Sequence, residues 1–278
     1  MRILPSTGAF IGRVNDRDHR AFLGVCDRLD ASAYEFMMYE AFYGREEPIL
    51  SDFLATGLSF PVFHVEKRVG ELIGLGGEEN AREARRRFAV NCRAAVRLGA
   101  GKLVLHLWNG PPSDREFSRS LEAYATFSEL SRKAGLLLTV ENVVCAIADP
   151  LARFRELLAA DPCASFTYDT KMAAHHRQEM TVFSPPYAAL FHRSEGGIRH
   201  IHLNDYGGTP GDFSGLATLH LGEGHLNIPA IVSSLCREGY AGRITLECGC
   251  MRPDGTLTPE KMNASLKTAR RLVSEGCE

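Results

Sequence analysis

The sequence predicts a single (β/α)8 TIM barrel occupying residues 1–278 as one domain. Three observations carry this. The chain has 278 residues, and barrels of this type fill about 250 residues as one unit. Short strand-like runs recur eight times, each followed by a longer stretch with helical spacing, as expected of a parallel sheet covered by helices. From the third run onward, nearly every strand closes on a metal-binding side chain, at the edge where such barrels carry their chemistry.

The strands are expected at 2–10, 32–39, 59–65, 101–108, 135–142, 164–170, 198–204 and 242–249. Amphipathic spacing places helices near 17–29, 47–56, 78–98, 150–160, 183–194, 228–239 and 259–275. A further helix follows Ser113 and Asp114, which supply a start signal, and Gly135 closes it as a C-terminal glycine does. The run 81–99 holds six arginines. It reads as the solvated face of an outer helix, with Phe88, Val90, Ala95 and Leu98 turned inward. The longest irregular stretches, 171–182 and 205–227, both follow strands, on the side of a barrel that carries functional loops. No linker or composition break divides the chain.

A hydrophobic fraction of 45% and a charged fraction of 24% are those of a soluble globular protein. The formal net charge of −2 offers no field for neutralising phosphates, so no nucleic-acid partner is expected. No run approaches the roughly 18 apolar residues of a membrane span, and the first residues do not read as a leader, which predicts a cytoplasmic protein without membrane contact. The eight cysteines include no C-x-x-C pair and read as reduced thiols. Cys248 and Cys250 flank Gly249 close to the candidate site.

The strand-end groups are His64, His106, Glu141, Asp169, His202 and Glu247. Singly, each could be a hydrogen-bonded core residue or a helix cap. Together they point to a cation, because three carboxylates sharing one cavity repel one another unless positive charge sits among them. Mixed imidazole and carboxylate donors suit zinc, manganese, iron or cobalt. Lys171, Arg252 and Tyr39 stand just beyond strand ends and are candidates for contact with substrate oxygens. The Gly222-Glu223-Gly224 run lacks the lysine and the strand-to-helix placement of a phosphate loop, and reads as a tight turn.

The strand ends TVEN, FTYDT, HIHLND and ITLEC, with HLGEGHLNIP at 220–229 and L-x-x-x-G-Y-x-G-R-I-T-L-E at 235–247, resemble the xylose isomerase-like barrel superfamily. That group includes sugar and sugar-phosphate isomerases and epimerases, inosose dehydratases, hydroxypyruvate isomerases and the endonuclease-four class of abasic-site nucleases. The resemblance implies that Glu141, Asp169, His202 and Glu247 bind one divalent ion (Mn, Zn, Co or Mg), with the two glutamates also acting as acid and base. His64 and His106, beside Glu141, are candidates for a second ion, and with Lys171, His220 and Arg252 for substrate contact.

Two positions depart from the ketose 3-epimerase pattern, Met172 for a histidine and Gly208 for an arginine. Thr218 stands where the nucleases have an aspartate, which removes a complete third metal site. The reaction predicted is proton removal beside a carbonyl of a small sugar, sugar phosphate or hydroxy-ketone through an enediolate, giving isomerisation or epimerisation. Dehydration uses the same residues and stays open. An abasic-site phosphodiesterase and a non-catalytic sugar-binding barrel are the readings from other classes. A homo-oligomer is left open.

Overall fold

The computed structural model describes residues 1–109 and 114–277. Its strands are β1 (Arg2–Pro5), β2 (Ala33–Met37), β3 (Ser59–His64), β4 (Lys102–Leu105), β5 (Leu137–Glu141), β6 (Ser165–Asp169), β7 (Gly197–His202) and β8 (Arg243–Leu246). They form one sheet in the order β1-β8-β7-β6-β5-β4-β3-β2. The α-helices are α1 (Arg20–Leu23), α2 (Glu46–Ala55), α3 (Arg68–Leu75), α4 (Glu78–Arg97), α5 (Phe117–Lys133), α6 (Pro150–Ala160), α7 (Thr170–His175), α8 (Ile228–Arg237) and α9 (Pro259–Gly276). This strand-helix alternation in one eight-stranded sheet is the (β/α)8 barrel fold.

The chain divides into two compact units, Glu35–Thr167 and Met1–Tyr34 with Tyr168–Glu278. In the first, β3, β4, β5 and the start of β6 pair in parallel, with Glu141 opposite Thr167. Its strands read as near-continuous apolar runs because both faces are covered. Phe60, Val62, Phe63, Leu103, Val104 and Val140 are all buried. Aromatic pairs fix the helices to the sheet: Phe36 packs edge-on to Phe53, and Phe154 stacks on Phe166 at 4.0 Å. In the second unit, β1 pairs with β8 and β8 with β7, all in parallel.

Helix α4 keeps the amphipathic character expected of it, with one correction. Phe88, Ala95 and Leu98 are buried, but Val90 is half-exposed and Asn91 and Cys92 take the inward face. Gly135 adopts φ +71° after α5, as its closing role requires. Asp114 does not cap α5. Its carboxylate instead accepts from the backbone N–H groups of Ala146, Ile147 and Ala148. Ser113 lies outside the described residues.

Two expected helices are much reduced. The stretch 17–29 keeps only α1 and a single turn: Asp16 and Arg17, at φ 52° and 54°, hold off its start, and α1 ends at Gly24. The stretch 183–194 becomes two short 3-10 turns, Thr181–Phe183 and Tyr187–Phe191, around Pro185 and Pro186, which have no N–H to donate. Conversely, α3 and α7 are additional. Helix α7 starts directly at the end of β6 because the Asp169 side chain accepts from Met172 N at 2.8 Å.

The thiol reading needs a larger correction. Cys236, in α8, is joined to Cys277, beyond α9, across a sequence separation of 41 residues. The two cysteines come together because α8 and α9 pack side by side, which spacing alone does not reveal. Cys26, Cys92, Cys145, Cys163, Cys248 and Cys250 are not disulfide-linked. A cross-link spanning a loop of this length constrains the unfolded chain by about 2–4 kcal/mol. Dithiothreitol is therefore expected to lower the urea midpoint of the protein and leave that of Cys236→Ser unchanged. Equal midpoints with and without reductant would refute the cross-link.

Candidate metal centre

In the unit Glu35–Thr167, three strand ends converge. His64 closes β3, His106 follows β4 and Glu141 closes β5. All three are buried, with exposures of 1%, 2% and 1%, and their donor atoms lie within 4.8 Å of one another. Glu141 Oε2 is 3.3 Å from His64 Nε2 and 2.8 Å from His106 Nε2.

His64 lies between two acceptors, the Val65 carbonyl 2.8 Å from Nδ1 and the Glu141 carboxylate 3.3 Å from Nε2. His106 Nδ1 lies 3.0 Å from Asn109 Oδ1, and the amide of Asn109 is oriented by its Nδ2 donating to Glu71 Oε1. Nδ1 of His106 is therefore the donor. Burial, chiefly, pulls the His106 pKa below its ordinary value, against the pull of Glu141, which keeps the ring neutral at pH 7. His106 Nε2 then presents its lone pair to the Glu141 carboxylate. His106 Nε2, despite its 2.8 Å approach, makes no hydrogen bond of acceptable geometry. Two imidazoles and a carboxylate packed this closely in a buried site are the residue set of a cation site, and an outer ring nitrogen facing a carbonyl or amide oxygen is the usual way such ligands are oriented. The residues fit a divalent metal.

The other unit assembles Asp169, His202 and Glu247. Asp169 closes β6, His202 closes β7 and Glu247 follows β8. Donor atoms of the three lie within 4.8 Å of one another. His202 Nδ1 is 3.2 Å from Glu247 Oε2 and 3.8 Å from Asp169 Oδ2. Asp169 serves both readings open to it, since Oδ1 caps α7 while Oδ2 faces the cluster.

Asn204, two residues beyond His202, organises this group. Its amide Nδ2 donates to Asp169 Oδ2 at 2.7 Å and to Glu247 Oε2 at 3.3 Å, and its Oδ1 accepts from Glu247 N. One neutral amide thereby holds two carboxylates side by side. Asn204 sits inside the HIHLND motif and yet was not a candidate, because asparagine is a poor metal ligand and its bridging role exists only once β6, β7 and β8 are adjacent. Glu35, fully buried on β2 with a carboxylate oxygen within 4.8 Å of a His64 nitrogen, was also missed. It stands in the middle of a strand, where a lone glutamate gives no local signal.

The remaining candidates separate. Lys171 is buried in α7 and donates to Thr218 Oγ1 at 3.0 Å, leaving two further ammonium protons. His220 faces Ser265 Oγ with one nitrogen and the Gly249 carbonyl with the other, so the ring braces the segment after β8. Arg252 is exposed within the turn closed by the Met251–Leu257 bridge. Tyr39 packs its ring edge-on to Phe42. The Gly222–Gly224 run is a tight turn: the N–H groups of Gly222 and Gly224 both donate to Asp205 Oδ2, so they are not available to cradle a phosphate.

A (β/α)8 barrel whose strand ends carry imidazole and carboxylate clusters defines the class of this protein. Residues 35–271 match the family model for the xylose isomerase-like TIM barrel, and the chain belongs to that family. No curated protein sequence matches it. Among solved structures it is similar to a D-tagatose 3-epimerase-like protein, at 16% identity and a TM-score of 0.68, with 100% of each chain covered. It is similar to a xylose isomerase domain protein from Alicyclobacillus acidocaldarius, at 15% identity and a TM-score of 0.70, covering 99% of this chain and 100% of that one. It is also similar to the IolI protein with a bound zinc atom, at 12% identity and a TM-score of 0.70, covering 100% and 98%. At these identities the likeness is one of fold. Among the described residues no helix is long and apolar enough to cross a membrane.

Proposed function

We propose that this protein is a divalent-metal-dependent isomerase or epimerase of a small sugar, sugar phosphate or hydroxy-ketone. The observation that supports it most is the buried convergence of His64 and His106 on the Glu141 carboxylate, at 3.3 Å and 2.8 Å. In this reading Glu141, Asp169, His202 and Glu247 hold one ion, with His64 and His106 beside Glu141 available for a second ion or for a substrate oxygen. The similarity to an epimerase-like protein and to a zinc-bound barrel supports the same assignment.

A bound divalent ion supplies Lewis acidity, acidifying the C–H beside a substrate carbonyl. The proton transfers belong to the chain. Glu141 and Glu247 come from different strands, and each can take or return a proton on its own side of a planar intermediate. Return on the opposite side inverts a centre, and return to the neighbouring carbon moves the carbonyl. Lys171, with two unused donors, is assigned to a substrate oxygen.

The substrate contact that ketose 3-epimerases place at position 208 has no counterpart. A Cβ on Gly208 would meet the Gly215 carbonyl at 2.5 Å and the Tyr206 ring at 2.8 Å, so the backbone there excludes any side chain. Recognition of the sugar away from its reacting carbons must differ accordingly.

After reloading with zinc or manganese, the protein is expected to retain about one equivalent of metal, or two if His64 and His106 hold a second, and to incorporate solvent deuterium into a ketose. Less than about a tenth of an equivalent, measured by elemental analysis, would sink the metal assignment. Full metal loading without deuterium uptake into any ketose or hydroxy-ketone tried would leave a metalloprotein that is not an isomerase.

A further inference from the structure

Past the end of a strand the backbone ladder no longer fixes a residue, and its carboxylate must be held in another way. Glu247 lies one residue beyond β8. Its N–H donates to a side-chain oxygen, Asn204 Oδ1, at 3.0 Å. A backbone N–H can only donate, so this bond settles which end of the Asn204 amide is oxygen and leaves the nitrogen for the carboxylates. Nδ2 donates to Asp169 Oδ2 at 2.7 Å and to Glu247 Oε2 at 3.3 Å. One amide thus holds Glu247 by its main chain and by its side chain. Asp169 is held at both oxygens, Oδ2 by Asn204 and Oδ1 by the N–H of Met172 at 2.8 Å.

The amide is itself locked from behind. Thr170, the residue after Asp169, accepts from Asn204 N at 2.9 Å and donates to the Asn204 carbonyl at 2.6 Å. Both residues are completely buried. A single hydroxyl therefore engages both main-chain polar groups of Asn204, and neither can turn away without leaving a buried group unpaired. The approach to Asn204 is fixed as well, since Leu203 N donates to the Thr245 carbonyl at 2.9 Å. In consequence Asp169 Oδ2 and Glu247 Oε2 converge beside His202 Nδ1, 3.8 Å and 3.2 Å from it. Two carboxylates sharing a site repel, and without a common donor they would swing apart.

We propose that Asn204, locked by Thr170, is a positioning residue that sets Asp169 and Glu247 in the arrangement of a cation site before any ion binds. It supplies no ligand of its own. The positioning is a property of the metal-free chain, and only its consequence for metal affinity rests on the metal reading proposed above.

The test pairs hydrogen exchange in the metal-free full-length protein with the zinc affinity of the folded protein, measured by competition with a chromophoric chelator. In the unmutated protein the Asn204 side-chain NH2 and the Glu247 N–H are expected to be protected from exchange. Asn204→Leu, similar in shape but without polar atoms, is expected to speed exchange at the Glu247 N–H by about tenfold or more. Its zinc affinity is expected to fall by about tenfold to a hundredfold, the usual cost of losing a group that orients a ligand. Thr170→Val should lower zinc affinity in the same direction, and Thr170→Ser, which keeps the hydroxyl, should restore it. A role confined to folding would lower the urea midpoint of Asn204→Leu and leave the zinc affinity of the folded protein unchanged.

Unchanged zinc affinity in folded Asn204→Leu overturns the proposal. So does rapid exchange of the Asn204 NH2 in the unmutated protein, a result that needs no variant to fold. If the unmutated protein binds no zinc, faster Glu247 exchange in Asn204→Leu or Thr170→Val upholds the role of Asn204 and rejects the metal reading, whereas unchanged exchange rejects both.

Discussion

Glu141→Gln is expected to abolish metal-dependent stabilisation and to slow solvent-deuterium exchange into substrate by about 10²–10⁴-fold, the span usually contributed by a positioned acid or base. The carboxylate is 1% exposed and faces two imidazole nitrogens, His64 Nε2 and His106 Nε2. Glutamine preserves its shape but replaces one anionic oxygen with an N–H donor. In the metal-free protein that donor satisfies a lone pair at His106 Nε2, an atom lacking a hydrogen bond in the present structure. The metal-free variant is therefore expected to be more stable than the unmutated protein, by about 1 kcal/mol for a hydrogen bond gained.

With zinc at about a hundred times its dissociation constant, the order reverses. The unmutated protein gains about 2.7 kcal/mol and the variant gains nothing. Thermal unfolding of both proteins with and without zinc checks this crossing of stabilities. A variant that still gains from zinc would exclude Glu141 as a ligand, and one that loses stability in the metal-free state would show that His106 Nε2 does not present a lone pair.

Asp114→Ala is expected to destabilise the protein by about 3–5 kcal/mol, the cost of stripping a buried charge network of one partner. For a chain of this size that is a fall in Tm of roughly 10 °C. The Asp114 carboxylate is completely buried and accepts from the N–H groups of Ala146, Ile147 and Ala148 at 2.9, 3.0 and 3.2 Å. Arg153 Nη2 adds an ion pair at 3.3 Å and a hydrogen bond to the Asp114 carbonyl. Removing the carboxylate leaves three N–H groups without their acceptor and takes one of two carboxylates from Arg153, and it releases the segment that follows Glu141.

The pH dependence has a definite sign. Burial pushes the Asp114 carboxyl up, but the three N–H donors and Arg153 outweigh it and hold the group below its ordinary value of 3.8. A carboxyl lowered in the folded state contributes stability above its unfolded pKa and loses it as pH falls through the folded value. The difference in stability between Asp114→Ala and the unmutated protein should thus be constant through neutral pH and shrink only below about pH 4. A difference that shrinks between pH 7 and 5 in urea titrations would reject this account.

Much of the molecule follows from local pattern. Short apolar runs such as Leu103–Leu105 read as strands covered on both faces, and eight strand-like runs alternating with amphipathic stretches select the parallel barrel. In such a sheet the last residue of each strand lies on one edge, so His64, His106, Glu141, Asp169, His202 and Glu247 could be named as a group from their positions alone. Cap and breaker chemistry was legible where one residue decides it, as at Gly135.

What sequence could not determine depends on groups far apart in the chain. The 17–29 and 183–194 stretches have helical spacing, but the backbone at Asp16 and Arg17 delays the first, which ends at Gly24, and the missing donors of Pro185 and Pro186 break the second. Asp114, next to a helix start, caps a loop more than thirty residues later instead. Cys236 meets Cys277 only because two helices pack together. Asn91 and Asn204 are neutral amides with no distinguishing local pattern, yet one fixes the peptide behind His64 and the other bridges Asp169 and Glu247. Hydrophobic periodicity is a property of neighbours in sequence, and so it specifies strands, helices and which residues end them. Tautomer, hydrogen-bond direction and the pairing of charges belong to neighbours in space, and only the tertiary structure decides those.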